Sequence, residues 1–199
     1  MTKTSEEKRA LRKTMRRRRA ALGKQEQRAA AYGLAARLCT LRAFRNARRI
    51  AFYAAADGEI DPRPARELAA SWGRRCYVPV LYPARRRLVF FADAEARRWT
   101  VNAFGIAEPR VPAGRMLRPA ELDLILVPLV AFDEDGGRVG MGGGFYDGSL
   151  HYLRHRRRYR RPVLVGVAHD FQKVDKINGD PWDIPLDAVV TDRACYRRR

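Results

Sequence analysis

An apolar run with strand character, Leu122 to Phe132, leads into the segment RVGMGGGFYDGSL, Arg138 to Leu150, whose second half has helical character. Gly140, Gly142, Gly143 and Gly144 crowd into five positions there. Glycine enters positive φ freely and lets backbone N–H groups approach a ligand with no Cβ in between. A row of such amides at the start of a helix forms an anion-binding concavity, which the positive end of the helix dipole reinforces. Strand, glycine turn and helix in succession are a building step of α/β folds, and phosphate is the obvious guest for such a turn.

A tight turn would use the same glycines. Arg138 at the entrance and Asp147 at the exit weigh for a nucleotide site instead, because arginine grips phosphate oxygens in a fork and magnesium takes one or two carboxylates beside nucleotide phosphates. No GK[ST] closes the loop, which disfavours an ordinary P-loop NTPase. Nor does GMGGGF fit the dinucleotide pattern GxGxxG with its later ribose-binding acid.

Elsewhere the pattern alternates. Ser5 to Leu22 and Lys24 to Leu41 read as two helices broken at Gly23, the first with Leu11, Met15 and Leu22 on one face and basic residues over the rest. Strands are expected at Arg49–Ala54, Cys76–Val80, Leu88–Phe91, Leu122–Val127, Val163–Ala168 and Ala188–Thr191, with a helix from Pro62 to Trp72. Asn102 to Pro119 is rich in Gly and Pro and reads as a long ordered loop, more often functional than idle. Strands alternating with helices predict an α/β fold with a mainly parallel sheet, whose ligands gather at the carboxyl ends of the strands. Four segments are candidates to converge there: Ala54–Glu59, Asn102–Pro109, Arg138–Asp147 and Asp180–Asp187. The length of 199 residues fits a single domain.

Lys and Arg number 41 against 22 acids, a net charge of +19 that points to polyanions: nucleic acid, an anionic membrane or phosphorylated small molecules. The 35 arginines and six lysines are spread along the whole chain, a skew that coding bias also produces, and no nucleic-acid-binding motif accompanies them. A basic, nucleic-acid-associated protein without turnover is the alternative reading. Cys39, Cys76 and Cys195 lie far apart with no CxxC grouping, so neither a disulfide framework nor a zinc site is expected. With no apolar run of about 18 residues and no hydrophobic leader, the expectation is a cytoplasmic protein without membrane association.

The joint order of KRALR (Lys8 to Arg12), FYAAADGEID, NAFGIAEP, DLILVPLVAFDEDGGRVGMGGGFYD (Asp123 to Asp147), VGVAHDFQ (Val165 to Gln172) and PWDIPLDAVVTD (Pro181 to Asp192) resembles the 5-formyltetrahydrofolate cyclo-ligase family, nearly end to end. The resemblance implies a Rossmann-like three-layer fold with helices on both faces of the sheet, residues 1–199 forming one cyclo-ligase domain with a basic N-terminal helix packed on it. It also implies conversion of 5-formyltetrahydrofolate to 5,10-methenyltetrahydrofolate, driven by ATP and magnesium through a phosphorylated formyl (iminophosphate) intermediate.

Lys8 and Arg12, four apart, share one helix face and can reach one phosphate chain. By resemblance they bind ATP, together with Arg138 and the loop Gly140, Gly142, Gly143, Gly144, Phe145 and Tyr146. Arg138 is the residue expected to stabilise the transferring charge, a salt bridge to Asp133, Glu134 or Asp135 being the bland alternative. Asp147 and Asp183 are the implied magnesium carboxylates. Glu59 and Ala54 are implied to bind the folate, with Met141 and Phe145 on its other side; many relatives carry Tyr at the Phe145 position, so ring stacking is expected there. His151 and His155 lack an HExxH context and read as surface residues, His169 as structural, and Trp182 as packing. The charge suits anionic tails such as those of polyglutamylated folates, and no dedicated nucleic-acid partner is expected. Oligomeric state is not legible.

Overall fold

The computed structural model describes residues 3–82, 86–96, 98–110, 116–155, 161–180 and 183–197. Pro181 and Trp182 lie outside the described residues. The basic opening forms α1 (Lys3–Ala20), followed by α2 (Lys24–Thr40). Between them the Gly23 amide donates to Glu26 Oε2 at 2.8 Å, satisfying one of the N–H groups that a helix start leaves without a partner. A short α3 (Arg42–Asn46) leads to β1 (Arg49–Ala51), then α4 (Arg63–Ser71) and the hairpin β2 (Arg75–Tyr82) and β3 (Arg87–Ala92).

The Gly- and Pro-rich region opens with a second hairpin, and residues 111–115 of it lie outside the described residues. β4 (Trp99–Val101) pairs with β5 (Ala107–Pro109), and Asn102 organises its tip by accepting from the amides of Phe104 and Ile106. The apolar run from Leu122 also divides. β6 (Leu124–Pro128) stays in the main sheet, while β7 (Ala131–Phe132) folds back on β8 (Arg138–Val139). Buried Asp133 holds that reversal by accepting from Gly137 N at 2.7 Å and Ile177 N at 2.8 Å. α5 (Phe145–Leu150), β9 (Val163–Val167), β10 (Ala188–Val190) and β11 (Cys195–Arg197) complete the chain. β11 lies beyond the expected final strand; with only three residues it lacks a period long enough to read.

The seven-stranded sheet runs β11-β10-β9-β6-β1-β2-β3. Its five inner strands are parallel, and the edges β3 and β11 are antiparallel. Successive strands progress to one side of β1 through β2 and to the other through β6, β9 and β10. The order therefore reverses between β1 and β6, and such a switch point opens a crevice at the carboxyl ends of the two strands. β6 is buried over four consecutive residues, as an inner parallel strand covered on both faces must be.

On one face Ile50, Leu124, Leu126 and Val165 pack with Leu34, Leu38 and Phe44 of α2 and α3 and with Ala65 and Ala69 of α4. On the other, Ile125, Val127, Leu164 and Val189 meet Leu150, Leu153, Leu186 and Phe90. Among the described residues α5 has six residues on this face and continues as a 3-10 turn through His155. A third cluster fixes α1, whose Met15 is buried against Val130, Ala131, Val139 and Ile177. Among the described residues no helix is long and apolar enough to cross a membrane.

Gln172 ties the end of β6 to the loop after β9. Its buried amide donates to the carbonyls of Leu129 and Val130 at 2.8 and 2.7 Å and accepts from the His169 amide at 2.9 Å. Gln172→Leu strands three buried backbone groups, and a loss of about 2–4 kcal/mol in urea unfolding free energy is expected. A loss below about 0.5 kcal/mol would show that water replaces the amide there.

Candidate active site

All four segments named from the sequence meet in one cavity of about 990 Å³ at the carboxyl ends of the sheet. Pockets for small molecules occupy roughly 300–1,000 Å³, and this one lies at the upper end of that range. Its wall includes Ala54 and Glu59 from the turn after β1, Phe104 and Ile106 from the β4–β5 tip, the loop from Arg138 to Asp147, and Asp180 and Asp183.

The glycine loop is built as a cradle. Gly142 and Gly144 have φ of +95° and +70°, so a side chain at either is strained whatever the space. A Cβ at Gly140 or Gly144 would meet no atom within 4 Å, so the backbone there borders open space. Gly144 caps α5 in the left-handed conformation. Because α5 is only six residues long, the loop amides contribute more to anion binding than the helix dipole does.

Arg138 stands in β8, 9% exposed, with its Nη2 donating to Asp147 rather than to Asp133, Glu134 or Asp135. Its buried Nη1 has no hydrogen-bond partner. A buried guanidinium with an unengaged donor costs free energy unless an acceptor arrives, and phosphate oxygens supply one.

α1 forms a further wall. Lys8 Nζ donates to Asp180 Oδ2 at 2.6 Å and lies 3.6 Å from Asp183 Oδ2. Arg12 Nε donates to the Gly140 carbonyl at 2.8 Å, bracing the cradle, and its guanidinium faces Gly142. Lys8 and Arg12 thus share one face, as their spacing predicts. The face continues through Arg16, which donates to Asp57 Oδ2 at 2.6 Å, and Arg19, which donates to the same oxygen at 2.9 Å. Sequence reasoning missed Arg16, which lines the cavity, and Arg19, which is buried beside Asp57, whereas Asp57, Phe104 and Asp180 fall inside segments it had named without being singled out. The 8, 12, 16, 19 spacing was the available signal for the two arginines.

The turn after β1 carries Glu59, which accepts from Ala56 N at 3.2 Å and has Arg19 Nη1 at 3.8 Å from Oε1. Burial pushes its carboxyl up to about 7, against the smaller opposing pull of the Ala56 amide and Arg19. Burial likewise raises the phenols of Tyr53 and Tyr146, with the Glu59 charge adding to both, so both rings stay neutral. Elsewhere on the wall Phe145 meets Phe104 edge to face at 5.5 Å, and Met141 is half exposed in the loop. An apolar, ring-accepting surface therefore shares the cavity with a carboxylate and an anion cradle.

Asp147 and Asp183 both line the cavity, Asp147 paired with Arg138 and Asp183 accepting from Asp180 N at 2.8 Å. Among the described residues no group of three His, Cys, Asp or Glu side chains could hold a metal ion by itself. Hard carboxylate oxygens flanking a phosphate cradle fit magnesium nonetheless, since that ion usually takes one or two protein carboxylates and fills its shell with phosphate and water. His151 is exposed against the Gly148 carbonyl, the side chain of His155 lies outside the described residues, and buried His169 approaches the Gly58 carbonyl at 3.2 Å.

The profile of the 5-formyltetrahydrofolate cyclo-ligase family matches residues 4–192. The 5-formyltetrahydrofolate cyclo-ligase of Escherichia coli is 39% identical over 178 residues, covering 89% of this chain and 96% of that one. The Haemophilus influenzae protein of the same name is 36% identical over 143 residues, 71% and 74% of the two chains. Among solved structures, the 5,10-methenyltetrahydrofolate synthetase of Aquifex aeolicus superposes with a TM-score of 0.79 at 31% identity, covering 96% of this chain and 93% of that one. The Mycoplasma pneumoniae synthetase gives 0.73 at 26% identity, with 94% and 99% covered.

Proposed function

The chain belongs to the 5-formyltetrahydrofolate cyclo-ligase family and is a ligase of that kind, and we propose that it closes 5-formyltetrahydrofolate to 5,10-methenyltetrahydrofolate at the expense of ATP. The observation that carries this reading is one cavity lined by a glycine cradle with Arg138 and also by Glu59, Met141 and Phe145. A triphosphate and a reduced pterin would share it.

A formamide oxygen is a poor leaving group. ATP supplies a phosphoryl group that turns this oxygen into a good one, as an iminophosphate, after which nitrogen 10 of the folate attacks and phosphate departs. For the chain the task is positioning and charge stabilisation. Lys8, Arg12 and the amides of Gly140, Gly142, Gly143, Gly144, Phe145 and Tyr146 hold the phosphates. Arg138, with Nη1 unengaged, meets the charge that grows on the transferring group. Glu59 accepts from the amino and ring N–H groups of the pterin, Ala54 lines the same end, and Met141 and Phe145 pack on the rings. Enclosure by α1 and the β4–β5 tip limits the water that would hydrolyse the activated formyl group.

Asp147 and Asp183 are the residues that would hold magnesium beside the phosphates, directly or through water, where it neutralises phosphate charge. Asp183 lies beside Lys8, which can turn to the phosphates when the nucleotide enters, while Asp147 keeps Arg138 on one carboxylate oxygen and offers the other. We infer a cytoplasmic enzyme with a single domain over residues 1–199, and a basic cavity rim that suits anionic folate tails.

The test is the absorbance of the methenyl product on mixing the protein with ATP, magnesium and 5-formyltetrahydrofolate. Each ligand alone should also raise the melting temperature, since a ligand at a hundred times its Kd adds about 2.7 kcal/mol to folded-state stability. The alternative, a nucleic-acid-associated protein, predicts no product, no such shift, and duplex binding that weakens steeply with salt. That outcome would replace the present reading.

A further inference from the structure

Arg19 sits in the run Arg16–Arg19, where sequence alone suggests solvated charge, yet its side chain is fully buried. Only one of its nitrogens is engaged: Nη2 donates to Asp57 at 2.9 Å and lies 4.0 Å from Met141 Sδ, while Nε and Nη1 have no hydrogen-bond partner. Burying a guanidinium with donors unused is expensive, and packing alone would be served better by an apolar residue of the same volume. What Nη1 does face is Glu59 Oε1, 3.8 Å away.

The backbone is shaped around this approach. Asp57 and Gly58 both have positive φ, +52° and +71°. A Cβ at Gly58 would come within 3.0 Å of the Arg19 Cβ and carbonyl oxygen, so the turn that carries Glu59 rests directly on α1 at Arg19. Gln27 Nε2 and His169 Nε2 reach the Gly58 carbonyl at 3.3 and 3.2 Å and hold the turn from two other elements.

We propose that Arg19 is a positioning residue for the folate end of the site: its buried guanidinium, anchored on Asp57, holds Glu59 in the cavity as an ionised, acceptor-only carboxylate. The inference rests on the folate role of Glu59 given above. The groups around Glu59 leave this task to Arg19 among the described residues. Asp57, in the same turn, opposes ionisation of Glu59, while Tyr53 from the end of β1 and Tyr146 from α5 are phenols that burial keeps neutral. His169 beyond Gly58 has its proton affinity lowered by burial and adds no cation at neutral pH. Arg16 spends its charge on Asp57 and is half exposed. A protonated Glu59 would present one donor where the pterin also presents donors, so ionisation decides whether the substrate is accepted.

The experiment is the KM for 5-formyltetrahydrofolate between pH 6 and 9.5 at saturating ATP, for wild type, Arg19→Met, Arg19→Lys and Glu59→Gln. Wild-type KM should rise as pH falls through the neutral range. In Arg19→Met that rise should begin about one to two pH units higher, because an opposite charge at this range lowers a carboxyl by about that much. The penalty against wild type should then be about 5- to 50-fold near pH 7 and shrink toward pH 9.5. Arg19→Lys should keep the wild-type midpoint, and Glu59→Gln should give a flat profile. Should Arg19→Met not fold, Arg19→Gln carries the same expectation. Equal KM penalties at every pH would assign Arg19 to structure alone and overturn the inference, as would an active wild type whose folate KM is flat with pH. Absence of methenyl product in wild type would instead overturn the function from which the inference starts.

Discussion

Arg138→Met is expected to lower kcat by about 10³-fold or more, the range over which arginines that neutralise a transferring phosphoryl group act. The guanidinium is buried in β8, fixed through Nη2 on Asp147, and leaves Nη1 without a partner beside the glycine cradle. It is therefore held in place before substrate arrives, and little reorganisation accompanies the reaction. Asp147 is about one-third exposed, so losing its partner leaves a carboxylate that water can solvate. Folding should survive the substitution, and urea unfolding would check that. Arg138→Lys keeps a charge but loses the planar fork, and should recover only part of the rate. Steady-state kcat together with the Kd for ATP separates the roles. A large fall in kcat with a Kd changed less than about tenfold marks transition-state stabilisation, whereas a raised Kd with kcat intact would reduce Arg138 to a binding residue.

Glu59→Gln should move activity and stability in opposite directions. The amide can still accept from the Ala56 N–H but can no longer take two pterin donors as a carboxylate does. Charge-assisted hydrogen bonds of this kind contribute roughly 1.5–3 kcal/mol, so kcat/KM for the folate should fall by about 10- to 100-fold near pH 8. In the folded chain the carboxyl titrates near 7, against the ordinary 4.5 of an exposed glutamate. The native state thus binds this proton more tightly than the unfolded state, and its stability falls as pH rises from 4.5 to 7, then levels off. A shift of that size corresponds to about 3 kcal/mol, the amount by which Glu59→Gln should exceed wild type above pH 8. The advantage should vanish below pH 4.5, where wild type carries the proton itself. Urea titrations at pH 4.5 and 8.5 check both ends. Equal stability of the two proteins at both pH values would mean that the carboxylate is solvated and not held against its preference.

What could be read from the chain alone is what lies close together in it. Arg138 to Asp147 carries its cradle, cation and acid within ten residues, and Lys8 and Arg12 are one helical turn apart, so spacing and residue type suffice. The inner strands are continuous apolar runs that need no context. Arg19 was hidden because the helical spacing that puts it on the face of Lys8, Arg12 and Arg16 does not reveal burial; that comes from Asp57 and Gly58, far along the chain. Asp147 could be named as an acid at the exit of the loop, but its pairing with Arg138 depends on the β7–β8 reversal, which the unbroken run Leu122–Phe132 conceals. Phe104 reaches Phe145 only because Asn102 closes a turn that composition reads as open loop. Burial of charge and closure of hairpins are properties of the folded whole, and these are where sequence reading stopped.

The central claim is that the formyl oxygen accepts the γ-phosphoryl group before the ring closes, and isotope transfer tests it directly. 5-Formyltetrahydrofolate labelled with heavy oxygen in the formyl group is turned over with unlabelled ATP, and the released phosphate is analysed by mass spectrometry. The account predicts one labelled oxygen per phosphate, matched to each methenyl product formed and each ADP released. Unlabelled phosphate, with the heavy oxygen lost to water while product still forms, would contradict it.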